Sequence, residues 1–283
     1  MLISTPFTHK AALTVLCTAT LLGCQHQQPV DSSVKSQITS GSVSSGDYRW
    51  NAIRSGLSEG GELRVYLAGE LTGWTDSVTT YSGSDLSRKL FDADTASGKL
   101  YLGFPCHTGL SMSCNTQRSS DSRFSLQLGQ QLGGLLRQLK KEHQAARLVV
   151  IGVGDSAPQA LIAAAGVPEI DAIITVRGAI DFHEMTKVHG VAPDALSPST
   201  ASERLQNLAQ NHWVSTQDKE VPEAVAKAYK ASFRDNRCIR IRVLTSGANG
   251  TAGNNRWQQL WPVMLQDKPK CQPMVDTLSE EVF

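Results

Sequence analysis

Short aliphatic runs constrain the fold of this chain more than any other feature of its sequence. They lie at residues 63–67, 100–104, 148–151, 172–176 and 239–244. Most of them are apolar on both faces, as are the strands of a parallel sheet that is covered on both sides. Amphipathic patterns separate them, and the clearest, over residues 125–144, has its leucines on one face. We therefore predict an α/β fold with a central, mostly parallel sheet and helices on both faces. Further helices are predicted at residues 158–165, 202–209, 222–233 and 255–265.

The N-terminus carries an export signal. An apolar stretch over residues 11–22 follows Lys10, and it is too short to span a bilayer. The stretch closes on a Leu-Leu-Gly-Cys sequence ending at Cys24, which resembles the lipobox of bacterial lipoproteins, where the cysteine is lipidated. Residues 1–23 are thus predicted to be a lipoprotein signal peptide and Cys24 a lipid anchor. By resemblance to Gram-negative lipoproteins, the lack of aspartate after Cys24 favours the outer membrane, facing the periplasm or the cell surface.

The segment after the anchor is polar. Residues 24–46 consist largely of Ser, Gln, Thr and Gly, so we predict a disordered tether there. Residues 47–283 are enough for one large domain. The net charge of +1 and the lack of a basic stripe exclude nucleic acid as an expected partner, which leaves the membrane, reached through the lipid.

Four cysteines remain for the folded domain: Cys106, Cys114, Cys238 and Cys271. An exported domain lies in an oxidising compartment, where an even number of cysteines favours disulfides. Of the three possible pairings we favour Cys106–Cys114 and Cys238–Cys271, because each partner is the nearest in sequence. His107 adjoins Cys106 and is not at ligand spacing, so neither a metal nor a cofactor is predicted.

The turn after the third aliphatic run, residues 148–151, is a candidate functional site, because the ligands of parallel sheets bind at the carboxyl ends of strands. Gly154 stands two residues before Ser156, the first half of a nucleophile-elbow pattern similar to that of hormone-sensitive-lipase-type esterases. In a second register the elbow begins at Gly152, and Gly154 then holds the nucleophile position. Two further alternatives stay open: a phosphate-binding glycine turn, and a purely structural turn.

Landmarks in order from about Tyr48 to Leu265 are similar to those of a family of bacterial α/β-hydrolase-fold proteins, often lipoproteins. The landmarks are residues 64–70 with Trp74, 100–106 with Cys114, 123–125, 175–181, His189, 196–198, 211–212, Asp218, 221–222, Trp257 and 261–262. The resemblance places the family's catalytic acid on Asp218 and its nucleophile, aligned without a gap, on Gly154. The family's histidine precedes its last helix, yet residues 249–257 contain none, and no histidine follows His212.

A serine nucleophile needs a base within hydrogen-bond reach, so the missing histidine bears directly on activity. The candidate catalytic set is Ser156, Asp218 and His212, and His183 is the alternative base. The candidate oxyanion donors are the backbone N–H groups of Glu70, Leu71, Asp155 and Ala157.

Two functions follow from these residues. The first is a membrane-anchored lipoprotein whose α/β-hydrolase-like domain is catalytically weakened or inactive and binds a small molecule or a protein. It is motivated by the missing histidine, the displaced serine and the lost elbow glycines. The alternative is an active serine esterase or acyl-hydrolase that uses Ser156. The fold alone does not choose between them, since one fold hosts many functions.

Overall fold

The computed structural model describes residues 38–56, 60–69, 85–105, 124–190, 197–201, 203–245 and 250–273, without the side chains of 250–254. All of them belong to one compact unit, Ser36–Phe283. The predicted signal peptide, the anchor at Cys24 and the pair Cys106–Cys114 lie outside the described residues. None of the helices in the described ranges is long and apolar enough to cross a bilayer.

The described strands form one sheet. They are β1 Ile38–Ser45, β2 Tyr48–Ser55, β3 Glu62–Leu67, β4 Lys99–Leu102, β5 Arg147–Val153, β6 Ala172–Val176, β7 Ala209–Ser215 and β8 Ile239–Leu244. The sheet has eight strands in the order β1-β2-β4-β3-β5-β6-β7-β8. β2 runs antiparallel to both β1 and β4, and every other neighbouring pair is parallel. The predicted mostly parallel sheet is confirmed.

Helices cover both faces of this sheet. They are α1 Leu86–Ala93, α2 Leu126–Glu142, α3 Ser156–Gly166, α4 Phe182–His189, α5 Glu223–Ala231 and α6 Gly250–Met264, with 3-10 turns at Pro198–Thr200 and Glu203–Asn207. Successive strand residues point to opposite faces. Accordingly, Val65 of β3 lies in the core cluster formed with α2, α3 and α5. The adjacent Tyr66 lies in the cluster formed with α1 and α6.

The predicted tether is too long at its C-terminal end. Residues 38–45 form β1, which pairs with β2 along its whole length. Most of β1 is exposed, whereas Tyr48 and Trp50 of β2 are buried. The strand is held by its backbone pairing with β2 and by few side-chain contacts, among them Val43 against the core, so its Gly- and Ser-rich sequence lacks the continuous apolar run that identifies buried strands.

The helix predicted over residues 202–209 is a shorter 3-10 turn, Glu203–Asn207. A 3-10 turn ends at Asn207 and β7 begins at Ala209. The strand buries Gln210 and Asn211, whose side-chain amides donate to the carbonyls of Leu205 (2.5 Å) and Asp267 (2.6 Å). Leu205 is five residues before Gln210, whereas Asp267 is 56 residues after Asn211. The polar side chains of β7 hide the apolar pattern by which a buried strand is predicted. By contrast, the disulfide predicted between Cys238 and Cys271 is present.

Candidate functional site

The turn between β5 and α3 is a tight elbow with glycine at its tip. Gly154 directly follows β5 and has a φ of +55°, a conformation that residues with a side chain rarely adopt. Its N–H donates to the Val176 carbonyl (3.1 Å), and its carbonyl accepts from the N–H of Ala179 (3.2 Å). The nucleophile of an α/β-hydrolase elbow stands on a sharp, strained strand-to-helix turn of this kind. In this turn the residue with the positive φ is Gly154, which has no side chain.

Three backbone segments converge at this elbow. A Cβ on Gly69, just after β3, would lie 1.9 Å from the Val153 carbonyl oxygen. A Cβ on Gly152 would lie 2.6 Å from the Cα of Ala157. Both positions therefore require glycine, because the end of β3 and the first turn of α3 approach β5 at backbone distance.

Ser156 lies two residues beyond the tip, with its hydroxyl turned toward the backbone. Its Oγ accepts a hydrogen bond from the N–H of Val153 (2.9 Å). The same Oγ lies 3.0 Å from the carbonyl oxygens of Leu67 and Val153, and its single proton is donated to this pair. The side chain is buried and joins the ends of β3 and β5 to the start of α3.

The candidate oxyanion donors are only partly described. The N–H of Ala157 donates to the carbonyl of Gly154 (3.3 Å), so it closes the turn and is not aimed at a bound substrate. Asp155 is the N-cap residue of α3 and is buried. Glu70 and Leu71 lie outside the described residues.

His212 is a fully buried residue of β7. Its Nδ1 lies 2.8 Å from Thr175 Oγ1, and its Nε2 lies 3.1 Å from Gln210 Oε1. The glutamine carbonyl only accepts, so Nε2 carries the proton and Nδ1 accepts from the threonine hydroxyl. Burial, helped by the charge of Lys230, lowers the pKa of His212 to about 3. The imidazole is therefore neutral at physiological pH, with both nitrogens engaged.

Asp218 follows β7 and binds Arg177, which follows the neighbouring strand β6. Asp218 Oδ2 accepts from Arg177 Nε (2.5 Å), and Oδ1 accepts from Arg177 Nη2 (3.2 Å). Oδ1 also accepts the N–H groups of Glu220 and Val221, each at 3.0 Å. Arg177 Nη2 also donates to Glu220 Oε2 (2.5 Å). Burial opposes the charge of Arg177, but the hydrogen bonds and charges of Asp218 and Glu220 outweigh it and raise the pKa of Arg177. This carboxylate is buried and fully hydrogen-bonded.

The hydrogen bonds of Ser156, His212 and Asp218 do not join these residues to one another. The other candidate base, His183, lies exposed on α4, next to a helix N-terminus that Asp181 caps. No group of three His, Cys, Asp or Glu side chains suited to a metal occurs in the part of the chain that the structure describes. Sequence reasoning missed the Arg177–Asp218 pair, although both residues follow adjacent parallel strands and so reach one edge.

No protein-family model and no curated protein sequence matches this chain. Solved structures do. Dienelactone hydrolase from Anabaena variabilis has a TM-score of 0.55 at 15% identity, over 83% of this chain and 99% of its own. The Pyrococcus furiosus esterase Pf2001 has a TM-score of 0.53 at 14% identity, over 82% and 93%. XC6422 from Xanthomonas campestris, described as a serine hydrolase without lid, has a TM-score of 0.53 at 10% identity, over 84% and 97%. These similarities, together with the strand order, show that the chain has the α/β-hydrolase fold.

Proposed function

We propose that this protein is a membrane-anchored lipoprotein whose α/β-hydrolase domain acts by binding a ligand or partner and does not hydrolyse esters. One observation carries the proposal. The elbow tip, where the nucleophile of this fold stands, is occupied by Gly154 at a φ of +55°. The nearby hydroxyl of Ser156 both accepts a hydrogen bond from a backbone N–H and donates one to a backbone carbonyl.

Among the described residues, Ser156 has no hydrogen-bonded neighbour that would activate it. A serine attacks a carbonyl only when a base within about 2.6–3.2 Å takes its proton. The acceptors around Ser156 Oγ are the main-chain carbonyls of Leu67 and Val153, which are not bases at neutral pH. Turning the Ser156 hydroxyl toward a substrate would also take its oxygen away from the N–H of Val153, which donates to it here.

His212 is unsuited to supply that base. The ring would have to leave Thr175 and Gln210 and emerge from a sheet in which it is fully buried. A general base works best when its pKa lies near the working pH, and burial holds the pKa of His212 at about 3.

Asp218 has a different partner from the one that a triad provides. A catalytic acid orients and stabilises a histidine, whereas this carboxylate accepts from the guanidinium of Arg177. The pair links the loops after β6 and β7. In the proposal, the edge that usually carries catalysis is a fixed structural surface, and the domain acts by recognition.

Ester hydrolysis tests the catalytic half of the proposal. Purified full-length protein in detergent is assayed with p-nitrophenyl acetate and butyrate beside Ser156→Ala. Ser125→Ala is the matched control, because its hydroxyl also accepts a backbone N–H, that of Leu128. We expect background turnover from all three. Turnover lost in Ser156→Ala and kept in Ser125→Ala would instead establish the serine esterase.

Fractionation tests the anchor. Lipidation at Cys24 would bury acyl chains worth about 0.8 kcal/mol per methylene, enough for stable attachment when more than one chain is added. The wild-type protein should partition with outer membranes, and Cys24→Ala should not. A Cys24→Ala protein that still fractionates as a lipidated membrane protein would overturn this half.

A further inference from the structure

A partly open cavity of about 280 Å³ lies at the edge of the sheet opposite the elbow. The hydroxyl of Ser87, in the first turn of α1, donates to the Leu67 carbonyl at the carboxyl end of β3 (2.7 Å), so α1 ends at the amino edge. The cavity lies there, between the segments that follow α1 and α6. Its lining includes Arg64, Asp94, Thr95, Pro262, Leu265 and Lys268. The volume is near the lower limit of small-molecule pockets, which suits a metabolite-sized ligand.

The floor of this cavity is a rigid hydrogen-bond network. Asp94, whose side chain is 1% exposed, accepts from Arg64 Nη1 (2.8 Å), the N–H of Ala96 (2.9 Å) and the Tyr66 hydroxyl (2.7 Å). The Tyr66 oxygen in turn accepts from Trp261 Nε1 (2.9 Å). Asp94 thus has its acceptor sites filled from within the protein and holds the Arg64 guanidinium in one orientation.

Positive charge is in excess around this network. Two carboxylates, Glu62 and Asp94, are accompanied by four cations, Arg64, Lys99, Arg147 and Lys268. Glu62 pairs with Arg64 (2.7 Å) and Arg147 (3.1 Å). Lys99 Nζ donates to main-chain carbonyls, including that of Phe91 (2.7 Å), so its hydrogen bonds leave the carboxylate oxygens of Asp94 and Asp92 to other partners, although both charges act on it.

Other acidic side chains near this edge are already paired. Asp92 binds Arg88 (3.0 Å), and Asp267 binds both Arg240 (3.0 Å) and Arg242 (2.5 Å). Lys268 Nζ has no hydrogen bond or ion pair with any described residue. Arg64 Nη2 likewise has no partner within the described ranges, because Nε goes to Glu62 and Nη1 to Asp94. Two cationic donors at the cavity are therefore unused.

We propose that this cavity binds a small organic anion. A carboxylate or phosphate head accepts charge-assisted hydrogen bonds from Lys268 and Arg64, which favour such heads. The body of the ligand packs on the apolar surface of Pro262 and Leu265. This site does not depend on the proposed function, because it shares no residue with the elbow edge.

Calorimetric titration of the full-length protein in detergent tests the site, with benzoate and phenyl phosphate as probes and neutral benzamide as the uncharged match. Lys268→Gln removes one cation, and Lys270→Gln is its control, because Lys270 is exposed and does not line the cavity. We expect saturable binding of at least one anion, weakened about tenfold in Lys268→Gln. Binding should be unchanged in Lys270→Gln and weaker for benzamide. The stronger of the two anions identifies the head group.

A second pair of variants distinguishes a loss of anion binding from a loss of folding. Thr95 is exposed at the cavity and lies outside the network of Asp94. Thr95→Glu places a negative charge there and should abolish anion binding, whereas the neutral Thr95→Gln should retain it. The proposal is overturned if neither anion binds saturably, if benzamide binds as well as benzoate, or if Lys268→Gln or Thr95→Glu binds like the wild type.

Discussion

The two edges of the central sheet differ in what remains for their polar side chains to do. The polar groups of Ser156 and Asp218 at the carboxyl edge, and of His212 in the middle of β7, are bonded within the protein. At the amino edge, Arg64 and Lys268 keep donors that no described residue uses. The backbone of the usual reactive edge is intact, including the elbow and the close approach of β3 to it. If the proposed function holds, elbow geometry and reactive groups are separable, and recognition is better sought where donors are unused.

The largest effect should come from the backbone convergence at the carboxyl edge. Gly69→Ala would place a Cβ 1.9 Å from a main-chain oxygen, which cannot move without shifting β5. We expect a loss of about 4 kcal/mol or more in the free energy of unfolding. Gly166→Ala is the control, because no atom lies within 4 Å of its added Cβ. Denaturant unfolding measures both, and equal stabilities would contradict the convergence.

The disulfide supports the amino edge. It joins Cys238, just before β8, to Cys271, three residues after Lys268, and its separation of 33 residues predicts a contribution of about 3–4 kcal/mol. The double variant Cys238→Ala with Cys271→Ala should lose this stability and loosen the segment that carries Lys268, so anion binding should also weaken. Reduced wild-type protein should behave alike. A double variant with unchanged unfolding and binding would separate the disulfide from the cavity.

Removing Arg177 should expose the structural role of Asp218. The side chain of Asp218 is 2% exposed, so Arg177→Met leaves a buried carboxylate without its counter-ion. We expect a loss of about 3 kcal/mol. Arg177→Met combined with Asp218→Asn should lose less than the sum of the two single variants, because the pair is coupled. Strict additivity in denaturant unfolding would argue against a structural pair.

Acid should reveal the buried state of His212. Its pKa is about 3 in the folded protein against an ordinary 6.5, so between these values the unfolded chain binds the extra proton. The free energy of unfolding is therefore unaffected by His212 above pH 6.5 and decreases below it, by about 2 kcal/mol at pH 5. His212→Gln should flatten this pH dependence, whereas His183→Gln, on the exposed face of α4, should not. Parallel stability curves for wild type and His212→Gln would contradict the burial.

The sequence predicts the parallel part of the fold well because each buried strand appears in it as a short aliphatic run. The run at residues 148–151 becomes β5, Arg147–Val153, and the leucine pattern over 125–144 becomes α2, Leu126–Glu142. β1 and β7 are not predicted as strands from the sequence, for opposite reasons. β1 is mostly exposed and pairs with β2 along its whole length, and β7 is buried but polar, with its amide side chains bonded to the carbonyls of Leu205 and Asp267.

The candidate site shows where local sequence stops being informative. The residue types around the elbow allow two registers, and the backbone conformation of Gly154 favours the one that leaves the tip without a side chain. The sequence alone could not reveal that Ser156 Oγ binds main-chain groups of β3 and β5, because Leu67 is distant in the chain. Nor could it reveal that Asp218 faces an arginine, although the order of strand ends placed both residues on one edge.

Covalent labelling tests most directly whether the carboxyl edge carries a working nucleophile. Full-length protein is incubated with di-isopropyl fluorophosphate beside an active serine hydrolase, and intact masses are recorded. The account predicts an unchanged mass for this protein while the control enzyme is fully modified. A single adduct that maps to Ser156 and disappears in Ser156→Ala would contradict it.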